Sequence, residues 1–534
     1  MPLAVRYRER SDHAVARNTI DAMVYARDTH GSACAAIICR VINIAPSGGA
    51  PVSQAPPSAR DADQSDARRD FSLRSVFGVA FAFISPIIAL YAIFNLGVLT
   101  AGPSFWWAFP VVLAGQTLVA LVFGELSSRW PEEGGVFAWA RRLGGGGVGW
   151  VAGWGYSWTL VCLNAAAAFA ASSFAIELLG LDSSSNVVRL ALAAGFIVLA
   201  TLVNCFDRRL LKAFIAVSIS CEVIGSLYVG TVLLVFHRNN DFSSLVSGFS
   251  DGGSSFLTGP FLAAVALAGW ALIGFESAAD LAAEVRDPER SVPLAQIASL
   301  VLVAATVMYA CAGLILAVPD WGAVTSGDVG DAIMDTISAE MGASLVTPIM
   351  VVVCIGFLAG IAAVSAALSR SVHAMATHRA LPGAEWLSRH SVRDELPRNA
   401  LVLTSVLTVA LLIFSVWAGF YDVMISMSTG GFYIAFLIPV LALLWHRSRG
   451  LWQPGVFRLG RASLAVNVAA AIWLTFEVIN ISWPRDIGLA WYVEWGCLLM
   501  YGVLGVLGAI VYLSTTRGDV STDAAATPQQ ANND

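Results

Sequence analysis

Between Phe77 and Leu513 the chain repeats one pattern, a long apolar run followed by a short polar stretch rich in arginine or aspartate. A helix needs about 20 apolar residues to cross the hydrocarbon layer of a membrane, and each run is long enough. The pattern predicts twelve spanning helices, at 73–98, 105–127, 147–179, 187–206, 211–236, 258–281, 294–318, 343–370, 399–419, 422–446, 463–483 and 490–514. No large soluble domain fits between them. The predicted fold class is therefore an all-α polytopic membrane protein.

Composition agrees with this reading. The 534 residues are 57% hydrophobic and 13% charged, with a mean hydropathy of +0.71, outside the range of soluble domains. The formal net charge of -6 says little, because in membrane proteins the placement of Arg and Lys carries the information. The loops after helices 2, 4, 6, 8 and 10 hold seventeen Arg or Lys, from Arg129 to Arg461, whereas the other side offers Arg189, Arg238 and Arg485. By the positive-inside rule both termini are cytoplasmic and the protein sits in the cell membrane.

Residues 1–70 carry nine Arg, eight Asp or Glu and a Ser/Pro/Gly/Ala-rich stretch that cannot bury a core, so a disordered cytoplasmic tail is predicted there. A start codon assigned too far upstream is the alternative. Residues 516–534 read as a second tail, and 71–515 as the transporter domain. None of the eight cysteines falls in a metal-ligand spacing or a disulfide framework.

Three segments carry chemistry. In the sixth helix, Gly269 and Gly274 bracket Trp270 to Ile273, and Phe275, Glu276 and Ser277 follow. An acid at membrane depth is costly unless it faces a cavity or a partner, so it marks a functional site by default. A break near Ile273 to Glu276 frees backbone groups as ligands; the other reading of the glycines is a close helix-packing face. The first helix has Ser85-Pro86 near its middle, where proline removes a donor and predicts a break or a simple kink.

In the fifth helix, Glu222 stands among apolar residues. It is a candidate proton carrier, since a buried carboxylate must be neutralised or paired; the alternative is a structural hydrogen bond to a neighbouring helix. Asp280 and Glu284 lie one turn apart with Arg286 close behind, a candidate salt-bridge cluster that closes a gate against the Arg129 or Arg208-Arg209 loops. No nucleotide-binding loop, zinc motif or nucleophile elbow occurs, so no catalytic residue, metal, cofactor or nucleic-acid partner is expected.

The segment GWALIGFESAADLAAEVRDPERSVPLA (269–295) resembles the sixth-helix signature of the amino acid-polyamine-organocation permeases. GELSSRWPEEGGVFAWARRLGG (124–145), residues 369–401 and YIAFLIPVLALLWHR (433–447) agree, so the resemblance covers about 72–514. Residues 454–484 are similar to the amino acid/choline transporter branch. The resemblance implies the leucine-transporter fold: two inverted five-helix repeats (about 73–236 and 258–446) and two further helices (about 463–514).

It also implies a substrate held between broken helices 1 and 6. On this chain the first-helix site is Ser85, Pro86, Ile87, Ile88 and Ala89. The sixth-helix counterpart runs from Trp270 through Ile273, Gly274, Phe275 and Glu276 to Ser277, with Trp270 closing over the substrate. Glu222 falls near a position where some proton-coupled relatives carry lysine. One departure matters: Phe83-Ile84-Ser85-Pro86 replaces a glycine-rich run, which puts a cradle for a substrate carboxylate in doubt.

The expected function is secondary active import of an amino acid or related small amine, with protons as coupling ion. The alternatives are an exchanger, a choline, ethanolamine or GABA permease, and, from a different class, a transporter-like nutrient sensor.

Overall fold

Proline and glycine decide where the helices of this chain break, and apolar length decides how far they run. The computed structural model describes residues 72–182, 184–205, 217–389, 397–418, 420–485 and 491–525. The tail predicted at 1–70 lies outside the described residues, as do residues 526–534 of the tail predicted at 516–534 and Arg208, Arg209, Lys212 and Arg393. Among the described residues there is no strand, and twelve helices are long and apolar enough to cross a membrane.

The first span consists of Leu73–Ile84 and Pro86–Tyr91, then bends through Ala92 and Ile93 into Phe94–Ala101. The sixth is also divided, into Leu262–Ala271 and the short turn Ser277–Asp280. Two broken helices five spans apart are what two inverted five-helix repeats require. The intact spans relevant to the site are the second (Ala108–Arg129), the third (within Gly135–Leu179), the fifth (described from Val217 to Phe236), the eighth (Ala343–Thr377), the tenth (Tyr421–Ser448) and the eleventh (Ser463–Ser482).

The first, third and eighth spans are mostly buried and form the centre, whereas the fourth (Asn186–Cys205) and twelfth are mostly exposed. The exposed faces carry Leu199 and Leu202 on the fourth and Val506 and Ile510 on the twelfth, as a lipid-facing surface requires.

The structure differs from the sequence reading in three places. The helix predicted to start at 147 begins at Gly135 and bends at Gly145, whose φ of 85° only glycine adopts freely. The sequence places Arg141 and Arg142 in a loop, yet Val136, Phe137 and Trp139 are buried and hold this stretch as helix. The eighth helix continues past 370 to Thr377, so Arg370 belongs to a helix and not to a loop. The last helix, Gly496–Ala525, continues into residues read as tail.

On the Arg-rich side, Glu125 of the second helix binds the segment between helices 10 and 11. It accepts hydrogen bonds from Arg447, from the Leu459 N–H (3.0 Å) and from the Ser463 hydroxyl (2.8 and 2.7 Å). Arg447 also donates to Asn467 Oδ1 (3.1 Å). Glu125 is 1% exposed, so removing it strands Arg447 beside unmatched donors. Glu125→Ala is expected to destabilise the protein by about 3 to 5 kcal/mol; thermal unfolding in detergent checks this, and an unchanged midpoint contradicts it.

Candidate substrate site

Pro86 has no N–H and its ring excludes a helical carbonyl one turn back, so the first helix cannot run through it. The residue before proline is pushed out of the helical region as well. Ser85 accordingly sits at φ 46°, ψ 107°, a strained conformation for a residue with a side chain. Its hydroxyl then caps the helix that restarts at Pro86, accepting the Ile88 N–H at 3.1 Å.

Glu222 completes the break from the fifth helix. Its Oε1 accepts the Ser85 hydroxyl at 2.5 Å and its Oε2 accepts the Ile87 N–H at 2.8 Å. A π-helical turn, Val223–Tyr228, begins directly after Glu222; such single turns shift side-chain register and recur at functional sites. The Tyr91 hydroxyl donates to the Gly225 carbonyl at 2.7 Å, a second tie between the same two helices. Small residues permit this approach: a Cβ on Gly225 or on Gly356 of the eighth helix would lie 2.8 Å from Ile87 Cδ1.

In the sixth helix the break turns on Gly274, at φ 99°. A Cβ there would lie 2.1 Å from the Phe83 ring, so conformation and contact with the first helix both demand glycine. Glu276 folds back over the break, its Oε2 accepting the Gly274 N–H at 3.1 Å. The Tyr156 hydroxyl of the third helix stands 2.9 Å from Glu276 Oε1 and 3.2 Å from Asp280 Oδ2. A phenol has one proton to donate, so it serves one acid at a time.

The structure thus brings together Ser85, Pro86, Ile87, Ile88, Ala89 and Glu222 at one break, and Ile273, Gly274, Glu276 and Ser277 at the other, all buried. The two breaks meet at Phe83 and Gly274. One predicted site residue turns elsewhere. The Phe275 ring enters an aromatic group with Phe123 and Phe436, at centroid distances of 6.1 and 5.8 Å. The Trp270 indole N–H donates to the Ser428 hydroxyl of the tenth helix at 3.0 Å.

Above Trp270, on the side away from the Arg-rich loops, a cavity of about 250 Å³ lies between Leu96, Asp422, Thr429, Ile481 and Arg485. Its Thr429 wall packs on Gly269, one residue before Trp270.

The proposed gate charges divide. Asp280 is buried against Tyr156, whereas Glu284 accepts two hydrogen bonds from Arg370, at 3.0 and 3.2 Å. Arg286 is exposed in the following loop. The partner of Glu284 is therefore a buried arginine of the eighth helix, and not Arg129, which is exposed. Tyr156, Ser428 and Arg370 escaped the sequence reading. Tyr156 and Ser428 stand in apolar helices with nothing to mark them, and Arg370 lies where the apolar run ends.

Broken first and sixth helices facing each other across buried acids are a transporter's arrangement, and comparison with known proteins decides which kind. The profile of the amino acid permease family matches residues 72–509. The chain belongs to that family. It is a transporter and not an enzyme, and the resemblance seen in 269–295 is upheld. This permease is 23% identical to an uncharacterized amino-acid permease of Schizosaccharomyces pombe, over 78% of each chain. It is 24% identical to an amino-acid permease BAT1 homolog of Oryza sativa subsp. japonica, covering 78% of this chain and 85% of the relative. A choline transporter of Saccharomyces cerevisiae is 23% identical over 78% and 76%.

Proposed function

We propose that this permease imports an amino acid or a related small amine across the cytoplasmic membrane, driven by protons, with both termini in the cytoplasm. The arginine distribution supports the orientation, and relatives named for amino acids and choline support the substrate range. The substrate binds where the two breaks meet, beneath Trp270, which separates it from the cavity walled by Thr429.

The observation that carries the coupling is the pair of bonds from Glu222 to Ser85 and Ile87. A serine hydroxyl both donates and accepts, so the Ser85 contact survives in either charge state of Glu222: Ser85 donates to the carboxylate or accepts from the carboxyl. The bond to the Ile87 N–H weakens when the acid is neutral, because a charged acceptor makes a bond roughly twice as strong. Protonation of Glu222 therefore loosens the fifth helix from the first, and that is a direct mechanical link between a proton and the substrate site.

The test is uptake into liposomes containing the purified protein, with labelled amino acids, GABA, polyamines and choline, with and without a pH gradient. Saturable uptake that rises with an inward proton gradient is expected. Binding without flux would replace the transporter with a sensor.

Trp270→Ala checks the placement of the site. Substrate affinity is expected to fall by about tenfold or more, in the range of one buried aromatic contact, with a smaller effect on the unfolding midpoint. Wild-type affinity in the variant would remove Trp270 from the site.

A further inference from the structure

The donors and acceptors freed at the two breaks are unequally used, and the imbalance selects a charge. After the first-helix break every early N–H is taken. Pro86 has none, Ile87 donates to Glu222, Ile88 to the Ser85 hydroxyl and Ala89 to the Ser85 carbonyl. At the sixth-helix break the Gly274 N–H is held by Glu276. Carboxylates of the chain itself therefore stand where a substrate's anionic group would look for donors.

The acceptors are in the opposite condition. In an unbroken helix the carbonyls of Ala82, Phe83 and Ile84 would receive the N–H groups of residues 86, 87 and 88. Pro86 has no N–H to give, and those of Ile87 and Ile88 are diverted. Three successive carbonyls at the negative end of the first half-helix are left without helical donors, and a primary ammonium carries three N–H groups. Two carboxylates, each 1% exposed, flank this point: Glu222 through Ser85 and Ile87, and Glu276 through Gly274, which packs on Phe83.

We infer that the permease takes a cationic amine that lacks a carboxylate, and that Glu222 excludes amino acids by filling the place of their carboxylate. The inference rests on the transport reading above and narrows its substrate range. An amino acid would bring its carboxylate against the charge of Glu222, at a first-helix break whose N–H groups are already engaged, and such an unmatched charge is costly in a buried site. A decarboxylated amine keeps every favourable contact and meets no such charge.

Matched pairs differing only in that group test the idea: cadaverine and lysine, putrescine and ornithine, agmatine and arginine, ethanolamine and serine, histamine and histidine. Binding to the purified wild-type protein and uptake into vesicles are measured for both members. In each pair that interacts, the amine is expected to bind about tenfold more tightly or better, the effect of one unsatisfied buried charge.

An amino acid that binds as well as its amine would overturn this inference and leave the transport reading standing; no uptake of any member would overturn both. Glu222→Ala, checked for wild-type monodispersity, frees the Ile87 N–H and is expected to narrow the preference. Unchanged discrimination in a folded Glu222→Ala protein would show that Glu222 does not set it.

Discussion

Glu222→Gln is expected to abolish accumulation driven by a pH gradient while leaving exchange of substrate across the vesicle membrane. The amide oxygen of glutamine still accepts the Ile87 N–H, so the break keeps its shape, but the side chain no longer binds and releases a proton. A gradient of about one pH unit supplies about 1.4 kcal/mol per proton, a roughly tenfold accumulation of substrate, and the variant is expected to lose all of it. Exchange needs only the two conformations and the binding site, both of which remain. The assay is uptake into vesicles with an inward gradient, paired with counterflow at equal pH. Retention of gradient-driven accumulation in the variant would assign the coupling to another group. Loss of both activities would make Glu222 a structural tie.

Gly274→Ala is expected to damage folding and transport together. A side chain at φ 99° costs about 1 to 2 kcal/mol in a left-handed conformation. The new methyl would also enter the Phe83 ring, where overpacking costs a further ~1 to 3 kcal/mol. The contact and the conformation are separable. Adding Phe83→Ala opens the space for the methyl, so the double variant is expected to recover the packing share of the loss relative to Phe83→Ala alone, and not the backbone share. Thermal unfolding of the four proteins in detergent measures the coupling. A Gly274→Ala protein with wild-type stability and uptake would mean that the sixth helix does not turn on this glycine in the working protein.

Twelve spans were legible because uninterrupted apolar length is a strong signal at membrane depth. The two breaks were legible because proline at 86 and glycine at 274 act locally, through the backbone of their own segment. What each acid touches was not legible. Glu222 meets Ile87 across 135 positions of sequence, and no periodicity in the fifth helix names its partner. The exclusion of Arg370 from the core had the same origin, since a charged residue after an apolar run reads as the end of a helix even when Glu284 accompanies it into the interior. The place of Phe275 in the motif predicts a binding residue, but a residue inside a break turns according to the packing available, and Phe123 and Phe436 supply it. The helical stretch at 135–144 is hidden in the sequence by the glycines that let the third helix bend.

If one carboxylate, Glu222, joins the proton to the substrate site, the most direct measurement follows both species at once. Vesicles of purified protein with no imposed gradient, and a pH-sensitive dye outside, are given the best substrate of the panel. Entry of substrate is predicted to draw protons inward, so the outer medium turns alkaline in proportion to the substrate taken up, and Glu222→Gln vesicles show no such change. Substrate entering wild-type vesicles with no movement of protons would contradict the account.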